Sequence, residues 1–391
     1  MGKILIINKE IPYPPHKNGN TNTIYNLIKA WKDKGNEVTL IYLNNFQSES
    51  EIELKKLKIE IININIKGKE YFIKYNGKYI LKLRNSWDIN SNNFPKIDVE
   101  KYDYVIFGDL GSTLIIDKLE NFSKVSSVLF QADSLAMYYE RNKELTKNLL
   151  KKIYCILQKK IIKKYEKEIY KDIDKIIFVS EKDKEYVETY HKDKKIKSVK
   201  LGIERYTKRG ILKLRKEEID IGFSGIMSYE PNKIAAEFII KEILPKLIKK
   251  KLNYRIHLIG KEPIESWKNL EYVKNNKLVI TGYLENIDDY ISNMDIYISP
   301  LFLGSGMKNK ILQAMNLGIP IIASNISCDG ITELKNHENF LLCDNQVENW
   351  IDKIEELAQD KNKRRDFSKK GIEIIKKNYS WSKMADEILN D

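Results

Sequence analysis

The chain has 391 residues, 68 of them Lys or Arg against 55 Asp or Glu, for a formal net charge of +13. That length is typical of two domains, and a hydrophobic fraction of 42% supplies an apolar core for each, which excludes disorder as the dominant state. No apolar run approaches the ~18 residues of a membrane-spanning helix, and Met1-Gly2-Lys3 leads into too short a run for a secretion signal, so residence in the cytoplasm is expected.

Residues 3–7 read as a buried strand, followed by a Pro- and Gly-containing loop to Asn20, a helix-period stretch from Asn22 to Lys34 and a second strand from Glu37 to Tyr42. This is the βαβ pattern of a parallel sheet. It recurs through Tyr104–Phe107, Val125–Phe130, a long helical region and Lys175–Val179. A short charged segment from Arg205 to Glu218, without a sustained apolar period, reads as an interdomain linker. The alternation then restarts: strands over Ile219–Phe223, Tyr254–Ile259, Leu278–Ile280, Ile296–Ile298 and Pro320–Ser324; helices over Pro231–Lys250, Met307–Asn316 and Val347–Tyr379. The fold class is therefore α/β: two Rossmann-like, doubly wound parallel-sheet domains facing a central cleft, with ligands expected at the carboxyl ends of the strands.

Two loops carry candidate chemistry. In the first, Asn18-Gly19 stands just before a helix start whose free amides suit a phosphate, although one glycine is fewer than a dinucleotide fingerprint requires; a plain turn with a helix cap is the alternative. The second is Gly304-Ser305-Gly306-Met307-Lys308-Asn309-Lys310. A glycine-bracketed serine before a helix aims amides at an anion, and two lysines add compensating charge, of which one is expected to reach the ligand. Cys155, Cys328 and Cys343 lack metal-ligand spacing, and His257, in an apolar strand, reads as a satisfied core residue.

In order and spacing, Phe223-Ser224-Gly225, Thr281-Gly282-Tyr283, the Gly304–Lys310 stretch, Gln313-Ala314-Met315 and Gly318-Ile319-Pro320 resemble the glycosyltransferase family 4 sugar transferases of the GT-B fold, in particular their exopolysaccharide-type branch. The resemblance extends more loosely to the front half through Asn18-Gly19, Tyr165-Glu166 and Phe178-Val179-Ser180-Glu181. It implies a retaining, metal-independent transfer of a sugar from a nucleotide donor to a hydroxyl acceptor, in surface polysaccharide or glycoconjugate synthesis, with a UDP-sugar favoured over a GDP-sugar and no cofactor. It also implies an acceptor-binding domain over 1–205, a donor-binding domain over 206–373, and return of 374–391 to the first.

Carried over by position, the resemblance makes Asp133, Ser305 and Lys308 catalytic candidates and Asn18, Gly19, Gly225, Tyr283, Gly304, Gly306, Met307, Asn309, Lys310, Gln313 and Glu333 donor-binding candidates. The family's two glutamates, with seven residues between them, fall on Ser305 and Gln313. An amide cannot give two ribose hydroxyls the charge-assisted pair that a carboxylate gives, a loss of ~1–2 kcal/mol. Gln131 stands where many relatives place a histidine, which leaves Asp133 as the acceptor-side candidate, or as a helix N-cap. Asp172-Ile173-Asp174 spells a metal-binding motif but precedes a predicted strand, so no metal role is expected.

The partners implied are a nucleotide sugar and a glycan, lipid-linked, protein or small-molecule acceptor. From Lys147 to Lys171, nine Lys and two Glu interleave with Leu149, Leu150, Ile153, Leu157, Ile161, Ile162 and Ile169. This helix reads either as a peripheral contact with anionic membrane at its inner face or as a solvated face over a normal core stripe. Only eight of the basic residues are Arg, and no nucleic-acid-binding module is present, so nucleic acid is not an expected partner. The rival reading from another class is a non-catalytic GT-B-like binding or scaffold subunit.

Overall fold

The computed structural model describes residues 2–43, 47–64, 73–75, 78–80, 95–192, 195–204, 206, 218–250, 253–304 and 307–390. The chain divides into two compact units, Met1–Gly202 with Trp381–Asp391, and Ile203–Ser380. The chain crosses between them three residues before the expected 205/206 boundary, and again at Ser380/Trp381 instead of 373/374.

The first unit is built on strands β1 (Lys3–Asn8), β2 (Glu37–Tyr42), β3 (Glu60–Asn63), β4 (Tyr104–Phe107), β5 (Ser126–Ala132), β6 (Lys175–Phe178) and β7 (Ile196–Ser198). All pair parallel, in the order β7-β6-β5-β4-β1-β2-β3. Central strands of such a sheet are covered on both faces, which is why they read as unbroken apolar runs. Ile4, Leu5, Ile6 and Ile7 are fully buried, each contributing about 1.5–3 kcal/mol. The helices are α1 (Gly19–Asp33), α2 (Ser48–Lys55), α3 (Leu135–Leu145), α4 (Leu149–Ile169) and α5 (Glu181–Glu188).

The second unit contains β8 (Ile219–Ser224), β9 (Tyr254–Ile259), β10 (Leu278–Ile280), β11 (Ile296–Ser299), β12 (Ile321–Ser324) and β13 (Leu341–Cys343), all parallel, in the order β10-β9-β8-β11-β12-β13. Numbered within the unit this is 3-2-1-4-5-6, with the reversal between β8 and β11. Its helices are α6 (Glu230–Phe238), α7 (Leu244–Lys249), α8 (Glu271–Lys274), α9 (Ile287–Ile291), α10 (Asn309–Asn316), α11 (Val347–Gln359) and α12 (Lys361–Asn378). The single helix expected over Pro231–Lys250 is interrupted by a π-turn at Ile239–Ile243. Pro245 in the first turn of α7 has no N–H to donate backwards, and the wider turn absorbs the mismatch.

The last helix, α13 (Trp381–Leu389), packs on α1. The buried Trp31 indole N–H donates to the Ala385 carbonyl at 3.1 Å, and Lys34 pairs with Asp386 at 2.9 Å. α12 runs unbroken to Asn378 and packs on α10, so the return to the first unit begins only at Trp381.

Candidate functional site

In the second unit Gly225, Gly304, Lys308 and Lys310 follow the carboxyl ends of β8 and β11, the two strands between which the order reverses. β8 ends at Ser224, and the amide of the following Gly225 donates to the Ile259 carbonyl at 2.9 Å. Gly225 has φ +157, and a Cβ there would lie 2.5 Å from the Asn232 side-chain nitrogen. The glycine thus lets Asn232, near the start of α6, press against the strand end.

Asn232 is the link to the second loop. Its carboxamide nitrogen donates to the Ile226 carbonyl at 3.0 Å, and its oxygen accepts from Lys310 Nζ at 2.7 Å. The Lys310 ammonium also lies 4.5 Å from the centre of the Phe223 ring. Burial, with a smaller contribution from Lys308, pushes its pKa down to about 7. A cation so short of compensation is stabilised by any anion that reaches it.

Lys308 occupies the N-cap of α10, and Asn309 is its first residue, two positions later than the helix start expected at Met307. Met307 is buried. Gly304 has φ +139, and a Cβ on it would stand 3.1 Å from Lys308 Cε and 3.2 Å from its Nζ, so the Lys308 amine lies close over the glycine backbone. Both lysines therefore sit in one turn, one tied to Asn232 and the other folded over Gly304. Ser305 and Gly306 lie outside the described residues.

Further along the edge, Tyr283 follows Gly282 (φ +68) and is 61% exposed. In the loop after β12, the Glu333 carboxylate accepts from the Tyr379 hydroxyl at 2.7 Å, which ties it to the end of α12. Gln313, on α10, donates through its amide to Asp288 on α9. Sequence reasoning missed Asp288 because the contact joins helices 25 residues apart with no motif between them. His257 is satisfied in the core, with Asp220 at 2.8 Å and the Tyr290 hydroxyl at 2.9 Å.

In the first unit, Asn18 caps α1: its Oδ1 accepts from the Thr21 amide at 2.9 Å and its own amide donates to Thr21 Oγ1 at 3.0 Å. Asn18 and Gly19 are both exposed at this helix start. The capping alternative for Asp133 is overturned. Ser134 caps α3, accepting from the Met137 amide at 3.2 Å, and Asp133 precedes it at the carboxyl end of β5. There Ala132 adopts φ +60 and the register with β6 shifts, so the chain turns sharply into α3.

Gln131 faces inward. Its amide donates to Glu166 at 2.6 Å and its oxygen accepts from Tyr170 at 2.5 Å, while Tyr190 donates to the other Glu166 oxygen at 2.5 Å. Burial pushes the Glu166 carboxyl up to about 7, against these hydrogen bonds, which pull it down. Asp174 accepts from the amide and hydroxyl of Ser127, each at 2.8 Å, a structural role. Among the described residues no group of three or more His, Cys, Asp or Glu is arranged to hold a metal ion.

Residues 218–360 match the family model described as Glycosyl transferases group 1. An uncharacterised glycosyltransferase of Methanocaldococcus jannaschii is 30% identical over 232 residues, which is 56% of this chain; the match spans 58% of that relative's length. Three solved structures are similar over nearly the full chain. A variant of S. aureus TarM, in complex with fondaparinux, α-GlcNAc-glycerol and UDP, has a TM-score of 0.69 at 14% identity, covering 100% of this chain and 99% of its own. Anabaena HepE in complex with UDP gives 0.66 at 11%, covering 99% and 98%. WaaG, a glycosyltransferase involved in lipopolysaccharide biosynthesis, gives 0.63 at 11%, covering 100% of both chains. With its two parallel-sheet units, the chain has the GT-B fold.

Proposed function

We propose that the chain is a retaining glycosyltransferase that moves a sugar from a nucleotide-sugar donor to a hydroxyl acceptor. The Ile203–Ser380 unit would hold the donor and the other unit the acceptor. The observation that carries this is the placing of Lys308 and Lys310 in one turn with Gly304, at the strand-order reversal and the start of α10. Open parallel sheets bind ligands at that position, and two cations with helix-start amides suit a diphosphate. The neighbours crystallised with UDP and the lipopolysaccharide glycosyltransferase support the same class of donor and a glycan or glycoconjugate product.

In this reading the acceptor oxygen bonds to the anomeric carbon as the bond from that carbon to the diphosphate oxygen breaks on the same face, and the acceptor proton passes to the departing phosphate. The chain's contribution is positioning and charge compensation. Lys308, Lys310 and the free amides at the start of α10 stabilise the leaving diphosphate. Ser305 and Glu333 hold the sugar, Tyr283 flanks the base, Gln313 approaches the ribose, and Asp133 faces the acceptor.

Calorimetric titration with UDP-, GDP-, dTDP- and CMP-sugars, without added metal, tests the proposal. One donor binds, and Lys308→Ala weakens it about tenfold to a hundredfold, the effect of losing one charged hydrogen bond. Lys250→Ala, whose amine pairs with Glu355 at 3.0 Å, leaves binding unchanged. If no donor binds, the non-catalytic scaffold reading replaces this one.

A further inference from the structure

Among the described residues eleven large apolar side chains are exposed, and seven of them fall between Leu145 and Leu157. Leu149 and Leu150 are 70% and 77% exposed, and Ile153, Tyr154, Ile156 and Leu157 continue the patch along α4. The helix meets its own unit through other residues: Cys155, Gln158, Ile162, Tyr165, Glu166 and Ile169 are the buried ones. At about 100° per residue, the exposed apolar side chains cover an arc of roughly 160° centred nearly opposite that buried stripe. The expected core stripe through Leu149, Leu150, Ile153 and Leu157 is therefore not formed, and of the residues assigned to it only Ile162 and Ile169 are in the core. The first half of α4 thus carries its large apolar side chains on the outer side, with only Cys155 and Gln158 buried beneath them, and a solvated helix has no use for such a face.

Charge selects the occupant. Lys160, Lys164 and Lys167 continue the same outward face toward the C-terminus, and Lys147 and Lys151 flank its start; all five are exposed. Of the two acids between 147 and 171, Glu166 is fully buried, which leaves Glu168. Lysine is depleted at protein–protein interfaces, whereas leucines and a tyrosine framed by lysines describe a helix lying in the boundary of an anionic bilayer. No helix among the described residues is long and apolar enough to cross a membrane, so contact would be lateral.

The placement suits such contact. Glu166 is bonded to Gln131 at the carboxyl end of β5, and α4 runs antiparallel to the strands before returning to β6. Residues 149–157 lie about 13–26 Å along the helix from Glu166, on the side toward which the strands point. Tyr154 stacks edge-on against Tyr139 of α3 at 6.0 Å, so α3 and α4 present the face together.

We infer that the outward face of α4, from Leu149 to Lys167, docks on an anionic lipid surface, with Leu149, Leu150, Ile153 and Leu157 entering the headgroup boundary and the lysines meeting lipid phosphates. This docking does not depend on the transferase reading. The test is co-sedimentation of the full chain with phosphatidylcholine vesicles and with vesicles that also contain phosphatidylglycerol, at low and high salt. The wild-type chain pellets only with the anionic vesicles and is released by salt. Leu149→Asp with Leu150→Asp, and separately Lys160→Glu with Lys164→Glu, each reduce pelleting at least tenfold while circular dichroism and melting temperature stay at wild-type values. A wild-type chain that stays in the supernatant with anionic vesicles overturns the inference, as does equal pelleting by the leucine variant. Light scattering that shows a dimer dissolved by the leucine variant, without vesicle binding, assigns the face to a second copy and likewise overturns it.

Discussion

The side-chain amide of Gln313 donates a hydrogen bond to the carboxylate of Asp288. Burial raises the Asp288 pKa above its ordinary value, the Gln313 bond pulls it down, and Asp289 and Glu204 push it up again. The Asp289 carboxylate is itself engaged by the Tyr206 hydroxyl at 2.7 Å. A carboxylate is therefore present at this point of the edge, on α9, next to the glutamine that stands where the resembled family has a glutamate.

This contact changes what Gln313→Glu should do. Taken alone, the substitution sets two carboxylates within hydrogen-bond distance in a partly buried place, where only one ionises readily. We expect it to lower stability by about 1–3 kcal/mol and to leave donor affinity unimproved at neutral pH. Combining Gln313→Glu with Asp288→Asn reverses the polarity of the pair and keeps the bond; stability recovers and donor affinity rises. Urea unfolding and calorimetry on the three variants decide the matter, and a single Gln313→Glu variant as stable as wild type would show that the two groups do not interact.

Lys310 gives the donor site a pH dependence. With its pKa near 7, the amine loses its proton as pH rises through neutrality, and a bound diphosphate restores it. Affinity for the nucleoside diphosphate should therefore fall as pH rises above 7, with a slope of up to about one decade per pH unit. Binding at pH 8 should take up a proton, visible as a dependence of the calorimetric heat on buffer ionisation enthalpy. Lys310→Met removes that dependence. Identical heats in all buffers for the wild-type chain would place the anion elsewhere.

Gly304 is held at φ +139 beneath the Lys308 amine. Gly304→Ala strains the backbone by about 1–3 kcal/mol and pushes Lys308 aside. Because the strain falls in the loop, donor affinity should drop about tenfold or more, a loss comparable to that of Lys308→Ala. The double variant should lose little beyond either single one. Additive losses would mean that the glycine and the lysine act independently.

The sheets were legible in the sequence because strands covered on both faces must be apolar throughout, as in Ile4–Ile7 and Ile296–Ile298. The edge strands β3, β7 and β13 were not read: each has only three or four residues and a single neighbour to pair with. That Lys308 and Gly304 lie near one another was legible because their spacing in the chain is local. Side-chain partners far apart in the chain were not. Asn232 is 78 residues from Lys310 and Glu166 is 35 from Gln131, and only the fold brings them together. On α4 an apolar periodicity was visible, but the sequence does not say which of two apolar arcs faces inward.

Glu166 gives the first unit its own pH dependence. The carboxyl is fully buried, and its pKa is raised to about 7 in the folded chain. The folded state therefore binds this proton more tightly than the unfolded state does. The resulting stabilisation is complete below pH ~4.5 and is lost as pH rises through 7, a difference on the order of 3 kcal/mol. Glu166→Gln keeps a hydrogen-bonding partner for Gln131 and Tyr190 and removes the titration. Urea unfolding at pH 5 and pH 8 should show the wild-type chain losing more stability across this interval than the variant. Parallel losses in the two proteins would mean that Glu166 stays ionised in the folded state, held by the Tyr190 and Gln131 bonds.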